Sequence, residues 1–241
     1  MTEVKTVILV AWDNETENSL SDADKQRLAD NNIEIVYTGI GKVNATRVAT
    51  DLCVRHELEE KAKRRTNKVI QTNIMKRVIP PPSPTELHIV NVGCAGSHTT
   101  GVRTLIQPNA FIQRDMDARQ FGYKQYRTPE ESEWIIGGDE LQLNSKFNHH
   151  FFTEFDHDTV VCATGDNANG YSETSDEVPA FDAVDMEAFA FAHVCAHYGV
   201  KFTCYKWITD LAAEDSTIEE LIENNNLLPW TQIIDEILSM D

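Results

Sequence analysis

The stretch Leu87-His88-Ile89-Val90-Asn91-Val92-Gly93-Cys94-Ala95-Gly96-Ser97 joins a β-branched apolar run to a string of small residues. An apolar run without strict alternation reads as a strand covered on both faces. The small residues after it let a ligand lie against the backbone. Four further runs, at residues 7–10, 33–37, 159–163 and 202–205, have the same strand-like character. Between them, residues 21–31, 43–60, 186–198 and 230–240 read as helices, and Gly199 stands where the third should stop. The alternation predicts an α/β fold around a largely parallel, buried sheet, with ligands beyond the carboxyl ends of the strands.

At 241 residues and 41% hydrophobic side chains, the chain suits one domain over residues 1–241. A formal charge of -18 opposes nucleic-acid polymers and anionic membranes and leaves a small molecule as the expected partner. Cys53, Cys94, Cys162, Cys195 and Cys204 show no CxxC spacing, as expected of reduced thiols in a cytoplasmic protein. The apolar run at 7–12 is far shorter than the roughly 20 residues of a membrane span, so no anchor is expected. Residues 59–84 break the acidic pattern with Lys61, Lys63, Arg64, Arg65, Lys68, Lys76 and Arg77, then Pro80-Pro81-Pro82-Ser83-Pro84. This charged excursion and proline-rich return reads as a solvated helix extension or as a phosphate-facing lid or partner contact.

Four places carry candidate chemistry. Thr38-Gly39-Ile40-Gly41-Lys42 is a glycine-bearing strand-to-helix junction whose amides can approach an anion or hydroxyl. Asn91 to Ser97 is the second such place. Glu187, in Val184-Asp185-Met186-Glu187-Ala188, is either a dipole-stabilised helix start or a partner for ribose hydroxyls. Asp210, in Trp207-Ile208-Thr209-Asp210, reads equally as a helix cap or a catalytic acid. His193 and His197 are spaced for a metal but have no third ligand in sight, so no metal and no cofactor are expected. His149-His150 beside Phe151-Phe152 reads as a loop or strand edge.

The strings GIGKVNAT, NVGCAGS, RDMDARQFGY, VDMEAFAFAHVC and ITDLAA, in this order, resemble the signature segments of the methylthioadenosine/S-adenosylhomocysteine nucleosidases. That resemblance implies a three-layer α/β sandwich with a twisted mixed central sheet, of the nucleoside phosphorylase/hydrolase kind. It also implies hydrolysis of the N-glycosidic bond of a purine nucleoside, and a homodimer whose subunits complete each other's pockets. Position by position, Glu15 matches the water-activating carboxylate, with Glu17 or Asp13 in its place if the register slips. Glu187 matches the ribose-binding glutamate, with Met186 beneath the sugar. Asp210 matches the acid that protonates N7 of the purine, with Thr209 where serine is frequent. Phe121 and Tyr123 match aromatics that reach the partner's 5′-substituent pocket.

The chemistry asks opposite protonation states of the two carboxylates: Asp210 as protonated acid, Glu15 held ionised by polar contacts as base. Asn91 stands where phosphorolytic relatives place a phosphate-binding arginine, which favours water as nucleophile. Cys94 replaces a usual serine and removes a good hydrogen-bond donor. Near Ala168 the family's base-stacking aromatic is missing, leaving Asn167, Asn169 or Tyr171 to meet the base. The alternatives are a phosphorylase, a nucleosidase for a nucleotide whose 5′-phosphate meets the basic excursion, and a non-catalytic nucleoside-binding protein.

Overall fold

The computed structural model describes residues 3–73, 84–123, 125–126, 128–129, 135–137, 159–167, 181–212 and 217–240, with side chains described outside 66–73 and 135–137. In chain order the strands are β1 (Glu3–Val10), β2 (Glu34–Tyr37), β3 (Thr85–Gly96), β4 (Leu105–Ile106), β5 (Ala110–Gln113), β6 (Ile135–Gly137), β7 (Val161–Thr164), β8 (Ala183–Asp185) and β9 (Lys201–Asp210). The helices are α1 (Asn14–Glu17), α2 (Asp22–Asp30), α3 (Lys42–Asn73), α4 (Ala188–Tyr198), α5 (Ile218–Asn225) and α6 (Trp230–Ser239).

Among the described residues the nine strands join one sheet in the order β2-β1-β3-β8-β7-β5-β6, with β9 against β3 and β4. β1, β2, β3 and β9 run parallel, while β8 meets β3 antiparallel, so the sheet is mixed. Alternate residues of one strand enter different cores. Val7, Leu9 and Ile89 pack with Ala45, Ala49, Phe191 and Val194 of α3 and α4. Ile8, Val10, Val90 and Val92 pack with Leu28 of α2 and Ile233, Ile234 and Ile237 of α6. Helices on both faces of a doubly buried sheet make the expected three layers.

The expected elements recur with shifted ends. The apparent turn at 93–96 is still β3, because β9 continues alongside it as far as Gly96. α3 runs to Asn73, past the expected end near residue 60, so the basic segment begins as a helix extension. Its charges are partly paired on the helix surface, Lys61 with Glu57 and Lys63 with Glu60. Lys68, Lys76, Arg77 and the proline return at 80–82 lie outside the described side chains. α1, β4, β5, β6 and α5 are not among the expected elements. Asp185 caps α4, its Oδ2 accepting the Ala188 N–H at 2.8 Å, while Thr164 Oγ1 accepts the Phe189 N–H at 2.9 Å.

Candidate active site

The parallel strands β1 and β9 bring Glu15 and Asp210 to their shared carboxyl end beside β3, and Glu187 joins them from the end of β8. Glu15 follows β1 on α1 and is 5% exposed. Its Oε1 accepts the Cys94 N–H at 2.7 Å, and its Oε2 accepts the Trp12 N–H at 3.1 Å. A Cβ on Gly93 would stand 2.9 Å from that Oε1, so a side chain there would displace the carboxylate. Burial pushes the Glu15 carboxyl above the usual carboxylate range; the Cys94 amide and the Lys206 ammonium pull the other way and do not cancel it. Polar contacts to Glu15 are present as expected, and burial makes its proton harder to remove than that of an exposed carboxyl. Once deprotonated, such a carboxylate is the stronger base.

Asp210 ends β9. The β3–β9 register shifts between Ala95 and Gly96, so Gly96 pairs with Asp210 and Thr209 is passed over, as at a bulge that re-aims a side chain. Asp210 Oδ1 accepts the Ala212 N–H at 2.7 Å, and Oδ2 accepts the Thr209 hydroxyl at 3.1 Å. A Cβ on Gly96 would lie 2.6 Å from Oδ1. No helix starts at Asp210, because α5 begins at Ile218 behind the capping box of Thr217 and Glu220, so the cap reading falls. Gly93 and Gly96 thus each make room for one carboxylate, about 10 Å apart along the strand.

Glu187 stands at the N-cap of α4 but makes no cap bond. Its Oε1 instead accepts the Gly41 N–H at 2.7 Å, across the turn where Gly39 and Gly41 have φ of 82° and 93°. Burial and the neighbouring Asp185 carboxylate raise Glu187 to about 7, against the pull of Lys206 and the Gly41 amide. Met186 beside it is half-buried. Beneath the site lies an ion pair that the sequence reading missed: Lys206 Nζ to Asp185 Oδ2 at 2.8 Å, both side chains 1% exposed. Burial disfavours the ammonium, but Asp185 more than offsets it and holds Lys206 charged; Asp185 is correspondingly lowered. A lysine within the buried run at 202–208 was the available signal.

The rim is built by Lys42, whose ammonium pairs with Asp115 and reaches Asp166 Oδ2 at 3.7 Å, while its N–H donates to Asp166 Oδ1 at 2.9 Å. Asn167 is exposed, and its carbonyl accepts from Arg114. Asn169, Tyr171 and the 149–152 segment lie outside the described residues. Arg114 is buried, packed where Gly165 leaves room for its guanidinium. Phe121, ending a 3-10 turn, is 72% exposed, and Tyr123 is half-buried. A cavity of about 900 Å³ beside the site is lined by Trp12, Tyr37, Gly39, Ile40 and Asn44. Another of about 1030 Å³ opens at the opposite end of the sheet, near Thr85 and Lys201. Lys61 and Arg64 line that far cavity, and Lys63 bonds Thr85 Oγ1 at 3.0 Å, so these three cannot serve as a lid over the carboxylates. Asn91 is buried, with Nδ2 donating to the Leu9 carbonyl at 3.2 Å and Oδ1 accepting from Cys204. His193 and His197 are exposed; among the described residues no three metal-ligating side chains cluster, and no helix is long and apolar enough to cross a membrane.

The chain is similar in sequence and fold to known proteins. A 5′-methylthioadenosine/S-adenosylhomocysteine nucleosidase of Bacillus pumilus is 25% identical over 198 residues, 78% of this chain and 72% of the relative. The solved nucleosidase of the same name from Neisseria meningitidis, in complex with methylthio-immucillin-A, superposes with a TM-score of 0.65 at 18% identity, covering 98% of this chain and 99% of that one. Futalosine hydrolase of Helicobacter pylori superposes with a TM-score of 0.59 at 18% identity, covering 98% of each. The model of the phosphorylase superfamily matches residues 25–228, a span that holds β2 to β9 and with them Glu187 and Asp210. The chain belongs to the phosphorylase superfamily.

Proposed function

We propose that this chain is an enzyme, a purine nucleosidase that hydrolyses the N-glycosidic bond of an adenosine-like nucleoside of the 5′-methylthioadenosine or S-adenosylhomocysteine type. The observation that carries the reading is the placement of Glu15 and Asp210 against two glycines of one strand, with Glu187 beside them. Ionised Glu15 takes a proton from water as its oxygen bonds C1′. The C1′–N9 bond breaks, its electron pair passes to the purine, and Asp210 delivers a proton to N7. Glu187 holds the ribose hydroxyls, and Met186 lies under the sugar. Free base and the ribose derivative result, with no cofactor. Asn91, spent on Leu9 and Cys204, brings no positive charge for phosphate, which supports water as nucleophile.

The 5′-substituent fits the cavity of Trp12, Tyr37 and Ile40, whose exposed rings and aliphatic surface suit an apolar group. In this proposal the chain is a homodimer, and Phe121 and Tyr123 of one subunit close the pocket of the other. The exposure of Phe121 supports that role. A single domain over residues 1–241 and a cytoplasmic setting complete the reading; all five cysteines are free thiols, as a reducing compartment requires.

Product analysis tests it. With 5′-methylthioadenosine, the expected products are adenine and free methylthioribose at a rate independent of added phosphate. A sugar 1-phosphate in their place would make the enzyme a phosphorylase. Asp210→Asn should lower kcat by about 100-fold or more, within the 10² to 10⁴ usual for a general acid, while substrate binding stays within a few-fold. More than a tenth of wild-type turnover in that variant excludes Asp210 as the acid.

A further inference from the structure

Two adjacent amides at the end of α5 reach the two reacting carboxylates by separate routes. Asn224 is 9% exposed and Asn225 is fully buried. Asn224 Nδ2 donates to the Thr209 carbonyl at 2.8 Å, the peptide group that leads into Asp210. Asn225 Nδ2 donates to the Asn14 carbonyl at 3.0 Å, the peptide group that leads into Glu15. Each amide oxygen also has a donor: Arg103 Nε reaches Asn224 Oδ1 at 2.8 Å, and the Cys94 thiol points at Asn225 Oδ1. A carbonyl can only accept, so the orientation of both amides is fixed by their partners.

From this we infer that Asn224 and Asn225 are positioning residues that set the spacing and aim of the Asp210 and Glu15 carboxylates. The inference rests on the proposed nucleosidase reading. Fixing a peptide plane fixes the N–Cα bond of the residue that follows it and leaves φ as the one backbone rotation that sets its Cα–Cβ direction. Because the two amides are consecutive on one capped helix, a single rigid element holds both ends of the reaction. The Asn225 circuit is closed: its amide holds Asn14 and Cys94, and the Cys94 N–H in turn holds Glu15 Oε1. α5 is anchored from β9 as well, because Trp207 Nε1 donates to the Asn224 carbonyl at 2.8 Å. An amide pair was the right choice for this task, since a carboxylate in either place would face a carbonyl oxygen with no proton to share.

The test uses Asn224→Ala and Asn225→Ala in the full chain, with Ile237→Val in α6 as a variant that loosens the core away from the site. The expected result is a fall in kcat of about tenfold or more in each asparagine variant, with KM within about threefold, since ground-state contacts to the nucleoside are intact. Ile237→Val keeps wild-type kcat. A second readout needs no turnover: with ¹³C-labelled glutamate, the Glu15 resonance, assigned through Glu15→Gln, should titrate at lower pH in Asn225→Ala, where water enters beside it, and at the wild-type pH in Asn224→Ala. Wild-type kcat in either asparagine variant overturns the inference. If the wild type itself hydrolyses no nucleoside, the functional reading fails separately, and an unmoved Glu15 titration in Asn225→Ala then overturns the positioning of Glu15. Should Asn225→Ala not fold, Asn225→Ser replaces it with the same readouts.

Discussion

Two lysines face carboxylates at the same end of this sheet and do different work. Lys206 and Asp185 are 1% exposed, ringed by Thr164 and the first amides of α4. Lys42 is 15% exposed, and its partners Asp115 and Asp166 are 25% and 47% exposed. The buried pair cannot exchange its partner for water, so removing either half leaves an uncompensated charge. The rim set is screened, and holding Asp115 below the usual carboxylate range against burial is a modest task for Lys42. The contrast teaches where the field of the site originates: Lys206 draws down both Glu15 and Glu187, whereas Lys42 ties the turn whose Gly41 N–H holds Glu187 to Asp115 and Asp166.

Breaking the buried pair should have the largest effect. Lys206→Met should lose about 3–5 kcal/mol of stability in urea titration, the usual consequence of orphaning a buried charge. With Asp185, Glu187 and Glu15 left without their cation, kcat/KM should fall by about 100-fold or more. Adding Asp185→Asn, which keeps an oxygen for the Ala188 N–H, should restore most of the stability and little of the activity. A single variant within about 1 kcal/mol of wild type would show that the pair is not held as ions.

Glu187 gives an intermediate effect through pH. Its folded value of about 7 lies above the ordinary 4.5, so between those values the folded state binds more protons than the unfolded one. Its contribution to stability is therefore full below about pH 4.5 and is lost as pH rises through about 7. Glu187→Gln keeps an acceptor for the Gly41 N–H and removes that loss, so its Tm at pH 7.5 should exceed the wild-type Tm by a few °C. Meanwhile the wild-type KM should fall as pH rises through about 7, because ionised Glu187 binds ribose hydroxyls more strongly. Parallel Tm curves for the two proteins between pH 5 and 7.5 would remove Glu187 from this account.

The sequence told these two regions apart poorly, for physical reasons. The long runs behind β1, β3 and β9 announce a buried sheet because they are apolar on both faces; Glu187 and Asp210 lie within the signature strings, while Glu15 rests on the resemblance with Glu17 or Asp13 as its alternatives. The partners of those carboxylates do not follow. Lys206 was passed over because one charge in an apolar strand gives no hint of which carboxylate, 21 residues earlier in the chain, will neutralise it. Asn224 and Asn225 carry no signal of their own in the sequence, although Thr217-Ile218-Glu219-Glu220 has the T-x-x-E pattern of a capping box that opens α5. Short strands such as β4 and β6, of two and three residues, have too few positions for a period to register. Nothing in the string around Arg114 announces that it is buried, because the space it fills is opened by Gly165, far along the chain.

The smallest effect should come from the rim, and salt separates it from the buried pair. Lys42→Met removes the ammonium from Asp115 and Asp166 but leaves the Lys42 N–H on Asp166 Oδ1, so the Gly41 turn keeps one tether. Stability should change by less than about 1 kcal/mol, as partly exposed pairs do. KM should rise about two- to fivefold, because Gly41 holds Glu187 and the turn now wanders, while kcat stays within about twofold because Glu15 and Asp210 are untouched. Raising the ionic strength to about 1 M, where the screening length is roughly 3 Å, should push the wild-type KM toward that of Lys42→Met. The same salt should leave the variant's own KM nearly constant, since its rim pair is already gone. It should not reproduce the collapse of Lys206→Met, because ions do not enter a site that is 1% exposed. A wild-type KM that ignores salt, beside a raised KM in Lys42→Met, would mean that Lys42 acts by packing its stem rather than by its charge.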